Sequence, residues 1–474
     1  MTITLYDDQH EVLQLVRRAF SGGHQTVILQ SPTGSGKSRM GAYMAAGAIK
    51  KGSNVLFDVP MRELRSQISG TFSQLGIEHS HIASGFKFNP FSRCWVSTTP
   101  TIANRIDRIP KIDFALIDEG HQGGAARDLL KETLRNMGAK ILILTATPER
   151  LDGKSIDSTC DSLVMGKSVR WLIDNKRLSD YRLFTPTQPD LSSLRVTASG
   201  EYNQQDVSGF MESQNVITGD AVRHYKKFAM GKRNVIYCTS IRHSQLVCQA
   251  FNDAGIPTAH IDGTMSDDER KTIIKAYARR ELHCVTNSDL LLYGFDLAAS
   301  SGYSDAVIEA ISDLKPTMSK AMQKQKDGRG LRYKPDPLIL MSHAGNHFGP
   351  DGQAKHGLPC SEVEWQWKGR KKSVSASERT ISVRSCPMCY FCHRPSELCP
   401  SCGYRYEVKS RILEEVEGDL IEITRDQLQN VKKQERMLQG KAQTLPELME
   451  LGKRRGVKNP AYWAKKVMEG RRKS

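Results

Sequence analysis

Ser31-Pro32-Thr33-Gly34-Ser35-Gly36-Lys37-Ser38 follows directly on the apolar run Val27-Ile28-Leu29. A buried strand that empties into a glycine-rich turn ending in Gly-Lys-Ser is a cradle for phosphate. The glycines let backbone N–H groups converge with no Cβ between them. Lys37 reaches the β- and γ-phosphates, and the Ser38 hydroxyl is placed to hold Mg²⁺. A helix starting near Lys37 points its positive end at the same anion. The pattern predicts a nucleotide site over residues 31–38. Generic loops of this kind open with glycine, and here Ser31 holds that place.

Outward from this loop, short runs rich in Val, Ile and Leu recur at 27–29, 55–59, 94–97, 114–117 and 141–144. Each is bounded by Gly, Pro, Ser or charged residues, as buried strands of a parallel sheet are, with helices between them. A second series begins near residue 182 and continues at 235–238, 258–261, 284–286, 306–308 and 338–341. The expected fold class is therefore α/β, with two tandem parallel-sheet halves over 1–180 and 181–345 and a smaller region over 346–474. Residues 187–220 are polar and read as a variable insertion or loose connector. Residues 346–380, rich in Gly, His, Lys and Ser, read as a link to the C-terminal region.

The 474 residues carry a net charge of +16, unevenly spread. Residues 431–474 hold 13 Lys and Arg against 4 Asp and Glu, whereas 346–430 balance at 12 and 12. A basic, polar tail is a contact for a polyanion, or else a solvated terminus. No apolar run approaches the roughly 18 residues of a membrane span. Asp7, Asp8 and Glu11 stand where a secretory signal would be basic and then apolar. These features predict a cytoplasmic protein with no membrane partner.

Further motifs follow the strands. Phe114-Ala115-Leu116-Ile117 leads straight into Asp118-Glu119-Gly120-His121. Alone, such an acid pair is commonly a surface feature. Downstream of a phosphate loop, Asp118 stands where Mg²⁺ needs a ligand and Glu119 where attacking water loses a proton. Thr145-Ala146-Thr147-Pro148 closes the 141–144 run. Gln325-Lys326-Asp327-Gly328-Arg329-Gly330-Leu331-Arg332 places two arginines on one helix face, either in solvent or aimed at a γ-phosphate held by the other half. Cys386-Pro387-Met388-Cys389 and Cys399-Pro400-Ser401-Cys402 are two Cys-x-x-Cys knuckles, a spacing that closes a tetrahedral Zn²⁺ site. Cys392 and His393 lie between them and leave the ligand choice open; Cys386, Cys389, Cys399 and Cys402 are the favoured set. Tyr462 and Trp463 sit among Lys458, Lys465 and Lys466, either to stack on a base or to pack a helical hairpin.

Taken in order over residues 3–345, these segments resemble superfamily 2 helicases of the DEAD/DEAH-like branch. Leu5-Tyr6-Asp7-Asp8-Gln9 resembles the adenine-reading motif, with Gln9 as reader. Residues 31–38 resemble motif I, Pro60-Met61-Arg62-Glu63-Leu64 with Gln67 motif Ia, and Thr98-Thr99-Pro100-Thr101 motif Ib. Residues 118–121 resemble motif II and 145–148 motif III. Ile236-Tyr237-Cys238-Thr239-Ser240 is similar to motif IV, Thr286-Asn287-Ser288 with Gly294-Phe295-Asp296 to motif V, and 325–332 to motif VI. Four positions depart from the pattern: Gly120 replaces Ala or Cys, Tyr293 an acid, Lys326 an Arg, and no base stands near Tyr6.

The resemblance implies two RecA-like lobes that hydrolyse ATP with Mg²⁺ between them. It implies a catalytic set of Lys37, Asp118, Glu119, His121, Gln325, Arg329 and Arg332. Gln9, Ser31, Pro32, Thr33, Gly34, Ser35, Gly36, Lys37, Ser38, Asp118, Gly294 and Asp296 would bind the nucleotide, and Ser38 and Asp118 the magnesium. Arg62, Thr99, Thr239 and Thr286 would grip a sugar-phosphate backbone. The zinc knuckle and basic tail are similar to those of phage and prophage DNA helicases. That implies DNA in preference to RNA, replication, recombination or repair proteins as partners, and the bacterial host cytosol as the place of action. An RNA helicase, a restriction or repair motor subunit and a non-enzymatic nucleic-acid clamp are the alternatives.

Overall fold

The computed structural model describes residues 4–150, 156, 160, 162–185, 191, 193–197, 201–213, 215–292, 295–348, 355–365, 367–368, 384–394, 396–406, 439, 442, 444–454 and 460–471. Two parallel sheets organise it. The first contains β1 (Thr26–Gln30), β2 (Val55–Val59), β3 (Ser80–Ile82), β4 (Cys94–Thr98), β5 (Phe114–Ile117), β6 (Lys140–Thr145) and β7 (Ser162–Met165) in the order β3-β4-β2-β5-β6-β1-β7. All five residues of β1 and of β2 are buried, which is why these strands are mostly apolar, with Asp58 the charged exception in β2. Gln30 lies opposite Thr145, and Asp58 opposite Ile117. This register brings the loops after β1, β5 and β6 to one edge, the carboxyl edge at which open α/β sheets bind ligands.

The second sheet contains β8 (Tyr181–Phe184), β9 (Asn234–Tyr237), β10 (Thr258–His260), β11 (Cys284–Asn287), β12 (Ala310–Asp313) and β13 (Leu338–Ser342), ordered β10-β11-β9-β12-β13-β8. The architecture is thus two tandem RecA-like lobes. Two expectations need correction. The strand expected at 306–308 is Ala310–Asp313. Ala306 and Ile308 are buried in the core, but the ladder to Asn234 and Ile339 begins only at Ala310. Its polar end concealed it. Ser312 meets Asn234, and Asp313 meets Lys326 at 2.6 Å, so both are buried with partners. The stretch 187–220 contains the helix Gln204–Ser213 and the start of Asn215–Phe228. Val207 and Met211 lie one helical turn apart and enter the second core, while the Gln, Ser and Asn residues made the segment look loose.

Described residues beyond β13 continue the packing of the second lobe. Asn346, His347, Phe348 and His356 are buried. Lys326, the departure from Arg, is buried against Asp313, and Asn346 Nδ2 donates to the same carboxylate at 2.8 Å. Residue 326 therefore serves the second lobe's interior rather than the phosphate cavity. The short antiparallel pair β14 (Arg384–Ser385) and β15 (Cys392–His393) carries the cysteine knuckles. Phe391 bridges to Phe184, and the Thr185 N–H donates to the Tyr390 carbonyl at 3.0 Å. The knuckle therefore packs at the end of β8, the edge strand of the second sheet.

Residues 407–474 form a separate unit. Its helices Leu445–Arg454 and Pro460–Arg471 pack together, with Trp463 Cε3 3.0 Å from the position a Cβ on Gly452 would take. Trp463 thus packs the hairpin, and Tyr462 is exposed. Among the described residues no helix is long and apolar enough to cross a membrane.

Candidate functional site

The 31–38 loop turns through Gly34 and Gly36 at φ +85° and +89°, a left-handed conformation that glycine adopts without strain. A Cβ on Gly36 would lie 2.5 Å from Gln9 Nε2 and would displace that side chain. Gln9 Nε2 donates to the Ser35 carbonyl at 2.9 Å and its Oε1 accepts from Tyr6 N at 3.1 Å, fastening the first helix to the loop. The base missing near Tyr6 comes from far along the chain: the Arg177 guanidinium lies 3.5 Å over the Tyr6 ring. Ser31 fits in place of glycine because Oγ meets Ser35 Oγ at 2.6 Å and faces Gly166, where any Cβ would crowd it.

Lys37 begins the helix Lys37–Lys50, and its Nζ donates to the carbonyls of Ser31 and Pro32 at 3.0 and 3.2 Å. Burial lowers its pKa, while Glu119 and Asp118 pull the other way. Asp118 Oδ1 accepts from Glu119 N at 2.9 Å. Burial, then the adjacent Glu119 charge, raise the Asp118 carboxyl to about 6. Burial pushes Glu119 up as well, but the surrounding cations, Lys37, Arg329 and Arg127 among them, hold it below its ordinary value. Glu119 sits at φ 49°. Gly120 is glycine for space, since a Cβ would lie 2.0 Å from Ile143 Cγ2.

The second lobe reaches this site across the cleft. Gln325 Nε2 donates to His121 Nε2 at 2.9 Å and to Thr147 Oγ1 at 3.2 Å. That network assigns the His121 proton to Nδ1, which faces Thr145 Oγ1 at 3.2 Å and Glu119 Oε2 at 3.4 Å. Burial drives His121 down to about 4, so the ring is neutral. Arg329 is held by the carbonyls of Leu292 and Phe295 at 3.0 and 3.2 Å, with Nη2 3.7 Å from Glu119 Oε1. The lobes touch closely here: a Cβ on Gly328 would lie 2.5 Å from Thr33 Cβ. Arg332 pairs with both oxygens of Asp296, which also caps the helix Leu297–Ser301. Gly294 and Tyr293 lie outside the described residues.

Lys37, Ser38, Asp118, Glu119, Arg329 and Arg332 all line one cavity of about 830 Å³. Two of its buried polar atoms, Glu119 Oε2 and Arg329 Nη2, have no hydrogen-bond partner among the described residues. A guanidinium nitrogen and a carboxylate oxygen with hydrogen-bonding capacity to spare, beside a glycine cradle and a buried lysine, fit a magnesium triphosphate.

A second cleft of about 470 Å³ also lies between the lobes, with Arg62 and Arg65 on one side and Arg270 and Lys271 on the other. Gln67 borders both cavities, and its Nε2 reaches Ser300 Oγ at 3.3 Å across the lobes. Of the four residues expected on a backbone, Arg62 lines this cleft. Thr99, Thr239 and Thr286 are buried, with hydroxyls bonded to Asp58, His243 and the Ser244 carbonyl.

Sequence reading missed Arg127. Its Nη1 donates to the Glu119 carbonyl at 2.7 Å and Nη2 to Thr99 Oγ1 at 3.0 Å, and it lies 3.8 Å from Asp58. Asp58 also accepts from Ser97 Oγ at 2.6 Å. The available signal was Asp58 itself, a carboxylate inside the buried run Val55–Val59 that had to have a partner. Nothing local marked Arg127. Arg127→Met leaves Asp58 buried without its cation, and we expect a loss of about 3–5 kcal/mol. Chemical denaturation of the two proteins checks it.

The four cysteine Sγ atoms lie within 4.8 Å of one another. Cys386 and Cys402 are 3.6 Å apart, as are Cys389 and Cys399. Zn–S bonds of about 2.3 Å set tetrahedral edges of about 3.8 Å, so the cluster fits the ion. Cys392 faces Thr185 Oγ1 at 3.0 Å and His393 Nε2 meets the Tyr406 hydroxyl at 2.7 Å, so neither joins it.

Comparison with known proteins agrees with this layout. Residues 2–150 match the family model "Type III restriction enzyme, res subunit", and residues 220–333 match "Helicase conserved C-terminal domain". A "51.5 kDa protein" of Lactococcus phage (isolate 7-9) is 29% identical over 408 residues, covering 83% of this chain and 82% of the phage protein. The Saccharomyces cerevisiae "Putative ATP-dependent helicase IRC3" is 24% identical over 248 residues, covering 50% of this chain and 34% of the yeast protein. Among solved structures, the ATP-dependent Type ISP restriction-modification enzyme LlaBIII bound to DNA superposes with a TM-score of 0.54 at 15% identity, covering 72% of this chain and 28% of that one. The chain thus spans about a third of the yeast relative and less than a third of the restriction enzyme. The two matched models, in this order along the two lobes, place the chain in helicase superfamily 2.

Proposed function

We propose that the protein is an ATP-driven DNA motor whose chemistry occurs in the 830 Å³ cavity between its lobes. The observation that carries this reading is the approach of Gln325 and Arg329 from the second lobe to His121 and Glu119 of the first. In this reading residues 31–38 wrap the phosphates, with Lys37 on the β/γ pair, and Ser38 and Asp118 hold Mg²⁺. The ion, when bound, neutralises charge that develops on the phosphate oxygens. Glu119 takes the proton of the attacking water. Arg329 and Arg332 stabilise charge from the opposite side, so hydrolysis requires lobe closure. His121 and Gln325 report the state of the cavity to Thr145 and Thr147.

The cleft lined by Arg62, Arg65, Arg270 and Lys271 takes the nucleic-acid backbone, because four cations from two lobes line a shared groove, with Arg270 and Lys271 paired to Asp267 and Asp268. DNA is favoured over RNA by the zinc knuckle and by the DNA-bound restriction enzyme among the structural relatives. Measuring ATP turnover with single-stranded, double-stranded and forked DNA and with RNA tests this. DNA stimulates most if the reading holds, and stimulation by RNA alone replaces it. A second reading, the motor of a restriction assembly, draws on the family model matched by residues 2–150.

Cys386, Cys389, Cys399 and Cys402 hold one structural Zn²⁺ that keeps the knuckle seated on β8. Elemental analysis is expected to find about one zinc per chain. The double variant Cys386→Ser, Cys402→Ser should lose it and melt at lower temperature, because metal binding supplies on the order of 10 kcal/mol to such knuckles. A zinc-free wild type with unchanged melting would eliminate the site.

A further inference from the structure

We infer that the loop over residues 84–91 of the first lobe is a base-stacking element. This rests on the reading of the adjoining cleft as the nucleic-acid site. The loop joins β3 to β4 and reads Ser84-Gly85-Phe86-Lys87-Phe88-Asn89-Pro90-Phe91. All eight residues are exposed. Three are phenylalanines, and Phe91 is 93% exposed. Large apolar rings shown together to water indicate a ligand rather than packing.

The loop is not a loose tip. The Trp95 indole N–H donates to the Asn89 carbonyl at 3.0 Å, and Phe91 N donates to Asn89 Oδ1 at 3.0 Å. Gly85 turns at φ +82° and Pro90 stiffens the far side. Phe86 lies under the Arg65 guanidinium at 4.6 Å and against His81 at 4.3 Å, so it anchors the loop. Phe88 is 39% exposed, and Phe91 projects almost wholly into solvent.

Position identifies the occupant. Ser84 and Gly85 line the same cleft as Arg62, Arg65, Arg270 and Lys271. A strand whose phosphates follow these cations presents its bases to whatever borders the groove. Aromatic rings interleaved with a base, here Lys87, are the pattern that stacks on unpaired nucleobases without reading sequence. The cations therefore supply the backbone grip, and Phe88 and Phe91 add a contact that duplex DNA, with its bases stacked inside, does not offer. The loop thus favours unpaired DNA.

The test compares binding of the full-length protein to a single-stranded DNA oligonucleotide and to the same strand with its central bases replaced by abasic sites. Wild type is expected to prefer the base-bearing strand by about tenfold. Phe88→Ala with Phe91→Ala should bind both strands equally, with affinity for the abasic strand unchanged and the same melting temperature. Phe91→Trp should keep the preference. If the double variant retains the full preference, the loop does not stack on bases and is left as a contact for protein, which overturns the inference and leaves the cleft reading intact. Equal weakening on both strands overturns it too. If wild type binds neither strand, the cleft reading itself fails.

Discussion

Glu119→Gln should bind ATP with nearly unchanged affinity and hydrolyse it about 10²–10⁴-fold more slowly. The amide keeps the size and the acceptor oxygen of the carboxylate but cannot take a proton. The surroundings of Glu119 show why the charge matters. Its side chain is buried, yet the cations around it, Lys37, Arg329 and Arg127, hold it ionised below the usual carboxylate range. Its backbone, at φ 49°, is secured by the Arg127 bond to its carbonyl. Phosphate contacts come instead from residues 31–38, which the substitution does not touch. Equilibrium binding of a fluorescent ATP analogue alongside steady-state turnover separates the two effects. Turnover within a few-fold of wild type would remove the base from Glu119.

Arg329→Ala should cost about 10³–10⁵ in turnover while ATP affinity changes little. The guanidinium is fixed by the Leu292 and Phe295 carbonyls and directed over Glu119, so it enters the cavity already oriented. It belongs to the second lobe, whereas Lys37 and Ser38 belong to the first. Binding therefore survives where charge stabilisation fails. Arg329→Lys should recover only part of the loss, because an ammonium cannot use both carbonyls and still present a second donor. Should Arg329→Ala weaken ATP binding and turnover equally, the residue holds the lobe's shape rather than stabilising charge.

Much of this was legible along the chain. The loop over 31–38, the acids at 118 and 119 and the paired cysteines lie at fixed short spacings, and local spacing survives without a fold. The buried strands could be read because parallel sheets covered on both faces need continuous apolar runs. Where a strand ended in buried polar groups, as β12 does at Ser312 and Asp313, that signal failed. The segment over 204–213 looked loose because half of each helical turn is polar by design of an amphipathic face.

Other features depended on partners far away in the chain. Arg127 and Asp58 are separated by many residues and meet only when the sheet closes, as do Arg177 and Tyr6. The exclusion of Cys392 and His393 from the cysteine cluster followed from where Thr185 and Tyr406 came to lie.

Residue order alone therefore determined that a triphosphate cradle, two acids and a trailing arginine pair exist in one chain, because each is a short pattern of side chains that covalent geometry keeps together. Only the packed lobes decided that Gln325 and Arg329 face His121 and Glu119, and that the loop bearing Phe86, Phe88 and Phe91 starts at the edge of a cation-lined groove. Contacts between distant segments arise from burial of apolar surface over whole sheets, a property of the folded chain that no single stretch contains.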